Sequence, residues 1–207
     1  RVNKHQSFEN SNRILASITE TIQFTDNLSL RGRLANDFTS EKIRNETATA
    51  VPLVIGNSGG FSVAQNNLTN LYGDILLTYD GEITEDLSIS AMAGYSARVE
   101  EEVYQSSGTN GGLATENYFD LSSSVNQANT SLNRVNRVND AFIGTVSFNF
   151  RDYLHVEGTA RRDRYSTMNP DNNSFVYPSV NSGFIFSDLF ALPAGISFGK
   201  LRASYGV

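Results

Sequence analysis

Cysteine is absent from the 207 residues, which removes disulfides, zinc fingers and Cys-ligated clusters. There are only 2 histidines, too few for a His-rich metal site. Charge is thin, at 18% of residues against ~25% in soluble domains. The balance is acidic, at −6, and offers no electrostatic footprint for nucleic acid. The opening Arg1-Val2-Asn3-Lys4-His5 is expected to carry no signal peptide. Long apolar runs are missing as well. The most apolar stretch, Ala50-Val51-Pro52-Leu53-Val54-Ile55, is far short of the ~20 residues of a membrane helix. A membrane strand stays open, because it needs only ~9–11 residues with every second one apolar.

Uncharged polar residues fill the space. The chain has 24 Ser, 22 Asn and 15 Thr, with 16 Gly, 9 Tyr and 13 Phe. That is the balance of an all-β chain with long polar loops, not of a helical protein. Alternation carries the signal. From Leu87 the odd positions read Leu87, Ile89, Ala91, Ala93, Tyr95, Ala97, Val99, while Ser88, Ser90, Met92, Gly94, Ser96 and Arg98 fall between them, one apolar in six. The even set Leu28, Leu30, Gly32, Leu34, Asn36, Phe38 is interleaved with Ser29, Arg31, Arg33, Ala35 and Asp37. Likewise Phe142, Val146, Phe148 and Phe150 alternate with Ile143, Thr145, Ser147 and Asn149. Period two over ten or more residues is a strand with one apolar and one polar face.

Weaker alternation places further strands at 13–24, 71–80, 153–163, 178–187 and 200–207, eight in all. Strands this long exceed the ~5–6 residues usual in soluble sheets. Tight polar turns are expected at 25–27, 82–86 and 151–152. Segments 39–70 and 100–140 read as long loops, and 164–177 as an intermediate one. Short turns at one end and long loops at the other is the asymmetry of outer-membrane barrels. Segment 188–199, with Leu189-Phe190-Ala191-Leu192-Pro193, departs slightly from it. Phe24, Phe38, Tyr72, Tyr79, Phe150, Tyr153, Tyr177 and Tyr205 sit near expected strand ends. They fit an interfacial girdle, or ordinary cross-strand packing.

No motif carries convincing catalytic chemistry. Gly56-Asn57-Ser58-Gly59-Gly60 looks like the surround of a serine nucleophile, yet a nucleophile needs a base and an orienting acid within reach. With only His5 and His155 in the chain, a loop tip explains it better. Glu157 and Asp163 lie six residues apart on one strand face, nearly 20 Å at ~3.3 Å per residue. That is too far for a glycosidase pair. Glu157, Arg161 and Asp163, with Arg31, Arg33 and Arg98, suit a wet barrel lumen, the arginines pairing with neighbours such as Asp37. Asn169-Pro170-Asp171-Asn172-Asn173-Ser174 lacks the spacing of an EF-hand and reads as a turn. Glu100-Glu101-Glu102 reads as a solvated run. No cofactor or metal is expected, and no enzymatic activity.

Four segments carry a family resemblance. Asn117-Tyr118-Phe119-Asp120-Leu121-Ser122 and Ala160-Arg161-Arg162-Asp163-Arg164-Tyr165-Ser166 are two of them. Tyr177-Pro178-Ser179-Val180 with Gly183-Phe184 is the third, and Lys200-Leu201-Arg202-Ala203-Ser204-Tyr205-Gly206 the fourth. In order and spacing they resemble the SusC/RagA-type TonB-linked outer-membrane proteins. Arg164-Tyr165 stands where that family usually has Gly-Ser. The resemblance implies a 22-stranded barrel with an N-terminal plug, energised by TonB and paired with a SusD-like surface lipoprotein.

The resulting expectation is an all-β, antiparallel transmembrane barrel segment, about eight strands of a larger barrel. It spans residues 1–207, with the plug and TonB box absent. Leu28, Leu30, Leu34, Leu87, Ile89, Phe142, Val146 and Phe148 are expected to face lipid. Arg31, Arg33, Arg98, Glu157, Arg161 and Asp163 are expected to line the lumen. The function expected is uptake of a large ligand, glycan or oligopeptide, across the bacterial outer membrane, with the long loops extracellular. The partners would be a SusD-like lipoprotein, TonB, the remaining barrel strands and lipid. Two alternatives stand beside it: a self-contained eight-stranded barrel with a structural or adhesive role, and a soluble β-sandwich carbohydrate-binding module.

Overall fold

The computed structural model describes residues 5–190, 195 and 197–207. Residues 1–4 and the Ala191-Leu192-Pro193 part of the apolar run in 188–199 lie outside them. The eight strands are β1 (His5–Thr25), β2 (Leu28–Thr47), β3 (Gly60–Thr84), β4 (Leu87–Leu113), β5 (Ser124–Phe150), β6 (Leu154–Tyr165), β7 (Ser174–Ile185) and β8 (Lys200–Gly206). They form one sheet in the order β1-β2-β3-β4-β5-β6-β7-β8. The chain is therefore all-β and antiparallel, as the alternation implies. A sandwich needs two sheets, and a closed eight-stranded barrel needs β8 beside β1. The sheet order offers neither.

Strand length is the main correction. Most of 39–70 and 100–140 is not loop: β3 has 25 residues, and β4 and β5 have 27 each. The true connections there are only 48–59 and 114–123, and 166–173 joins β6 to β7. Alternation fades in the turn-distal parts because Ser, Thr and Asn occupy both faces. Main-chain pairing continues without any apolar stripe to announce it. The aromatic positions change meaning accordingly, since Phe38 and Tyr72 lie within β2 and β3 rather than at strand ends.

Two parts of the sheet are compact in themselves. The first comprises Arg1–Ala16, Asn36–Leu71 and Val99–Asn136. Here Leu113 is fully buried and Ser123 nearly so. Leu113 N–H donates to Ser58 O (3.1 Å) and Ala114 N–H to Ser123 O (2.6 Å), which seats loop 48–59 against loop 114–123. The Asn117-Tyr118-Phe119-Asp120 motif builds the second loop. Asn117 adopts φ 53°, and its Oδ1 accepts from Thr49 N–H (3.0 Å). Asp120 caps the short turn of 3₁₀ helix Leu121–Ser123.

The second part comprises Ser17–Ala35, Tyr72–Arg98 and Arg137–Val207. Its buried residues, the glycines Gly183 and Gly199 apart, are Asp74, Ser96, Ala141 and Asp163. Three of the four are polar, and they share one face. The Ala160–Ser166 motif shapes the end of β6: Ser166 N–H donates to Val138 O (2.9 Å), and Val138 N–H donates back to Ser166 Oγ (2.7 Å).

Gly59 is the tightest point of loop 48–59. Its φ is +82°, and an added Cβ would lie 2.8 Å from Thr47 O and 3.1 Å from Leu113 Cδ1. Gly59→Ala therefore imposes backbone strain of roughly 1–3 kcal/mol together with the clash. The expected result is exchange of the Leu113 amide hydrogen on the order of tenfold faster, with exchange in β6 and β7 unchanged. An unaltered Leu113 rate means that the loop is held by something other than this seat.

Candidate functional site

Antiparallel register decides which side chains meet, since directly opposed residues point to the same face. Across β5 and β6 the pairs Ile143↔Arg161, Thr145↔Thr159, Ser147↔Glu157 and Asn149↔His155 share one face. Across β6 and β7 that face continues as His155↔Gly183, Glu157↔Asn181, Thr159↔Ser179 and Arg161↔Tyr177. The opposite face carries Phe142↔Arg162, Val146↔Gly158 and Phe148↔Val156, and then Gly158↔Val180 and Leu154↔Phe184. One face is polar; the other is apolar apart from Arg162, Arg164 and Asp140 near its turn-distal part. Strands β3 and β4 follow suit. Ser88 and Ser90 border one recess with Ser147, Asn149 and His155. Leu28, Leu77, Tyr79 and Ala91 border another with Val146.

Several charges of the polar face are paired within it. Asp74 sits between two arginines: Arg33 Nε donates to Asp74 Oδ2 at 2.7 Å and Arg31 Nη2 to Asp74 Oδ1 at 3.4 Å. The Asp74 side chain is 2% exposed, so it depends on both cations. An ionised carboxylate buried without partners costs several kcal/mol. Arg33 also lies 5.0 Å over the Tyr72 ring and donates to its hydroxyl (3.3 Å). Arg161 Nε reaches both Asp163 oxygens, at 2.8 and 3.0 Å. Glu157 accepts from Ser147 Oγ and Asn181 Nδ2, each at 3.2 Å.

Asp37 is not the arginine partner expected for Arg31 or Arg33. Arg13 takes it with a two-pronged contact of 2.8 and 2.6 Å. Arg98 is exposed on β4, at the parity of Ser96. Tyr72 and Tyr177 stand on the polar face beside Arg33 and Arg161, which takes both out of any girdle on the apolar side. Phe150, Tyr153 and Phe184 form an edge-to-face cluster at the turn end, with ring centroids 5.5 and 6.1 Å apart.

Chemically the polar face is a hydrophilic wall with much of its charge in ion pairs. Among the described residues no group of three His, Asp or Glu could hold a metal ion. Ser58 is a structural residue: its Oγ accepts from Ala50 N–H (2.9 Å) and Val51 N–H (3.2 Å). Asn169 Oδ1 accepts from Asp171 N–H (3.1 Å), the turn expected of Asn169-Pro170-Asp171.

The chain is 26% identical, over 211 residues and 99% of its length, to a TonB-dependent receptor of Formosa agariphila. That likeness is to a protein named as a TonB-dependent receptor. It spans about a fifth of that relative, 21% of its length. Among solved structures it matches the RagAB peptide transporter with a TM-score of 0.88 at 16% identity, covering 98% of this chain and 23% of that one. The RagAB peptide importer in its closed-closed state matches with a TM-score of 0.88, over 99% and 23% of the two chains. At 16% identity this likeness concerns the fold. No family model matches the chain. The SusC/RagA-type resemblance read from the four sequence segments is borne out by these relatives.

A tether that the sequence did not announce joins two of the short turns. Arg151 and Asp152 both have positive φ, 47° and 60°. Arg151 N–H donates to Asp86 O (2.8 Å), and its Nη2 to Asp86 Oδ2 (2.6 Å). The guanidinium holds the Asp86 carboxyl below its ordinary value of 3.8. In the loops, Ser122 N–H does the same for Asp120. A depressed folded value means that the Asp86 contribution is complete above the unfolded pKa and is lost as pH falls through the folded one. Exchange of the Arg151 amide is therefore expected to be pH-independent, after correction for intrinsic rates, from pH 7 to 5. Extra opening should appear below pH 4. Asp86→Asn should show the opened rate throughout, and an acid response that survives this substitution assigns it to another carboxylate.

Proposed function

We propose that this chain forms part of the barrel wall of a TonB-dependent outer-membrane importer for large ligands. The register carries the reading. Across β5, β6 and β7 it separates Glu157, Arg161 and Asp163 from Phe142, Val146 and Phe148. In this reading Arg31, Arg33 and Arg98 line the lumen with the first set, and Leu28, Leu30, Leu34, Leu87 and Ile89 face lipid with the second. An outer-membrane barrel wall has this division, polar toward its lumen and apolar toward lipid. The kinship with a TonB-dependent receptor and the fold shared with the RagAB peptide transporter support the same reading.

In this reading the paired charges line a water-filled lumen of a barrel of about 22 strands. The wall offers ligand a surface of hydrogen-bonding groups without a strong net field. A peptide or a glycan suits such a surface, and the relatives named as peptide transporters favour the peptide. Connections 48–59, 114–123 and 166–173 leave one end of their strands and would face the outside, where a SusD-like lipoprotein would meet them. The turns at 26–27, 85–86 and 151–153 would face the periplasm, the side on which TonB acts.

This chain contributes no cysteine of its own to compete with introduced ones, so labelling is compared with the parent protein as background. Single cysteines replace Ile89, Val146, Phe148, Ser88, Ser147 and Asn149 in the intact protein in its membrane. The first three should react only with a lipid-soluble thiol reagent, and the last three with a water-soluble one. The reverse pattern would refute the barrel-wall assignment.

A further inference from the structure

The apolar face carries one charged cluster. Arg162 lies directly opposite Phe142, and Arg164 opposite Asp140. On its other side Arg162 faces Val176. Both arginines therefore project from the apolar face. Arg164 is neutralised: its Nε donates to Asp140 Oδ1 (3.0 Å), and its Nη2 closes a second bond to Asp140 Oδ2. Tyr95 donates its hydroxyl to Asp140 Oδ2 (3.0 Å) and packs its ring on Phe142, 4.9 Å between centroids. Arg162 donates Nε to Ser174 Oγ (2.8 Å). Among the described residues no carboxylate lies within 4 Å of its guanidinium nitrogens. The five side chains Tyr95, Asp140, Phe142, Arg162 and Arg164 border a recess of about 380 Å³. Two guanidinium groups and one carboxylate leave it with a charge of +1.

The depth of this cluster is informative. From Leu154 at the turn to Arg162, β6 rises ~26 Å at ~3.3 Å per residue. A strand tilt of 35–45° makes that about 20 Å along the bilayer normal, near the top of an apolar band ~25 Å tall. Val156, Gly158 and Ala160 fill the same face of β6 below it, opposite Phe148, Val146 and Gly144. An arginine at that height sits about 5 Å below the upper edge of the band, close enough for its long side chain to carry the guanidinium up to the headgroup layer.

We propose that Arg162, positioned by Ser174 and flanked by the Arg164–Asp140 pair and Tyr95, seats the phosphate of an anionic lipid headgroup on the outer surface of the wall. The proposal rests on the barrel-wall reading above. Arg162 Nη groups supply donors suited to phosphate oxygens, Tyr95 contributes an amphipathic ring at the interface, and the apolar band below accepts the acyl chains. The net positive charge complements the anionic headgroup.

The test titrates the intact, detergent-solubilised protein with phosphatidylglycerol, and with phosphatidylcholine of the same acyl chains, reading bound lipid by native mass spectrometry. Wild-type protein should prefer phosphatidylglycerol. Arg162→Gln should weaken that preference about fivefold, the share one basic residue contributes at an anionic surface, and Arg162→Lys should restore most of it. Equal binding of the two lipids by wild-type protein overturns the headgroup seat. So does an Arg162→Gln protein that keeps the full preference, and so does displacement of bound phosphatidylglycerol by millimolar inorganic phosphate, which marks a free-anion site. Heat-modifiable migration and recovery in the outer-membrane fraction are read on the same samples. Failure there removes the barrel-wall reading itself, whereas their success with no lipid preference removes only the seat.

Discussion

Register is the constraint on which the rest of this sheet depends. A pleated strand has two faces, so slipping one strand by a single residue would send its whole polar set to the other side. The β5–β6 pairing shows what is at stake. In register, Glu157 meets Ser147, and Arg161 stands two residues from Asp163 on the same face. One residue out, Arg161 would stand opposite Phe142 or Gly144, and Phe148 would move among the serines. The ion pairs and the apolar side chains thus select the same alignment, as a minimally frustrated sheet requires.

Electrostatics on the polar face follow from that alignment. Asp74 is nearly enclosed, while Arg31 and Arg33 remain 44% and 41% exposed at their side chains. The carboxylate has lost its water and the guanidinium groups have kept theirs. The arginines are then needed to keep Asp74 charged, and their outer edges still present donors to whatever passes. Arg161 and Asp163 repeat the arrangement, with a buried acid and a half-exposed base. Such a wall is polar without being strongly charged. In the importer reading, that lets a large ligand make and break hydrogen bonds along it without being trapped by an unopposed charge.

How much of this was legible in the sequence depended on where each strand ran. In the turn-proximal stretches, with Leu28, Leu30 and Leu34 or Phe142, Val146 and Phe148 on one side, period two was plain and the strands stood where it placed them. In 39–70 and 100–140 the alternation disappears because neither face is apolar. A polar strand and a polar loop then have the same composition, and only main-chain pairing tells them apart. The arginines of the polar face were recognised, but their partners lie on neighbouring strands. Strand order and register were needed to join Arg33 to Asp74 and to give Asp37 to Arg13. The Arg151–Asp86 tether was invisible for the same reason: its two ends are separated by two whole strands. Arg162 was quoted within a motif, yet its face is opposite to that of Arg161, and only the pairing with Phe142 and Val176 gives that fact weight.

The edges of the sheet connect these local findings to the larger assembly. Strands β1 and β8 each have one neighbour in the sheet order, so one side of each presents main-chain N–H and C=O groups without strand partners. Every side chain of β1 and β8 is exposed, Ile14 and Ile18 at 64% and 68% among them. Neither strand contains proline, one of the residues with which natural edges prevent further pairing. In water such an edge is an aggregation hazard. In hydrocarbon it is worse, because each unsatisfied main-chain group costs several kcal/mol. The same features are what a strand in the interior of a barrel wall would show with its neighbours taken away. Pairing both edges with further strands would satisfy the backbone, and it would extend both faces of the sheet at once, since register carries polar to polar and apolar to apolar across each new pair.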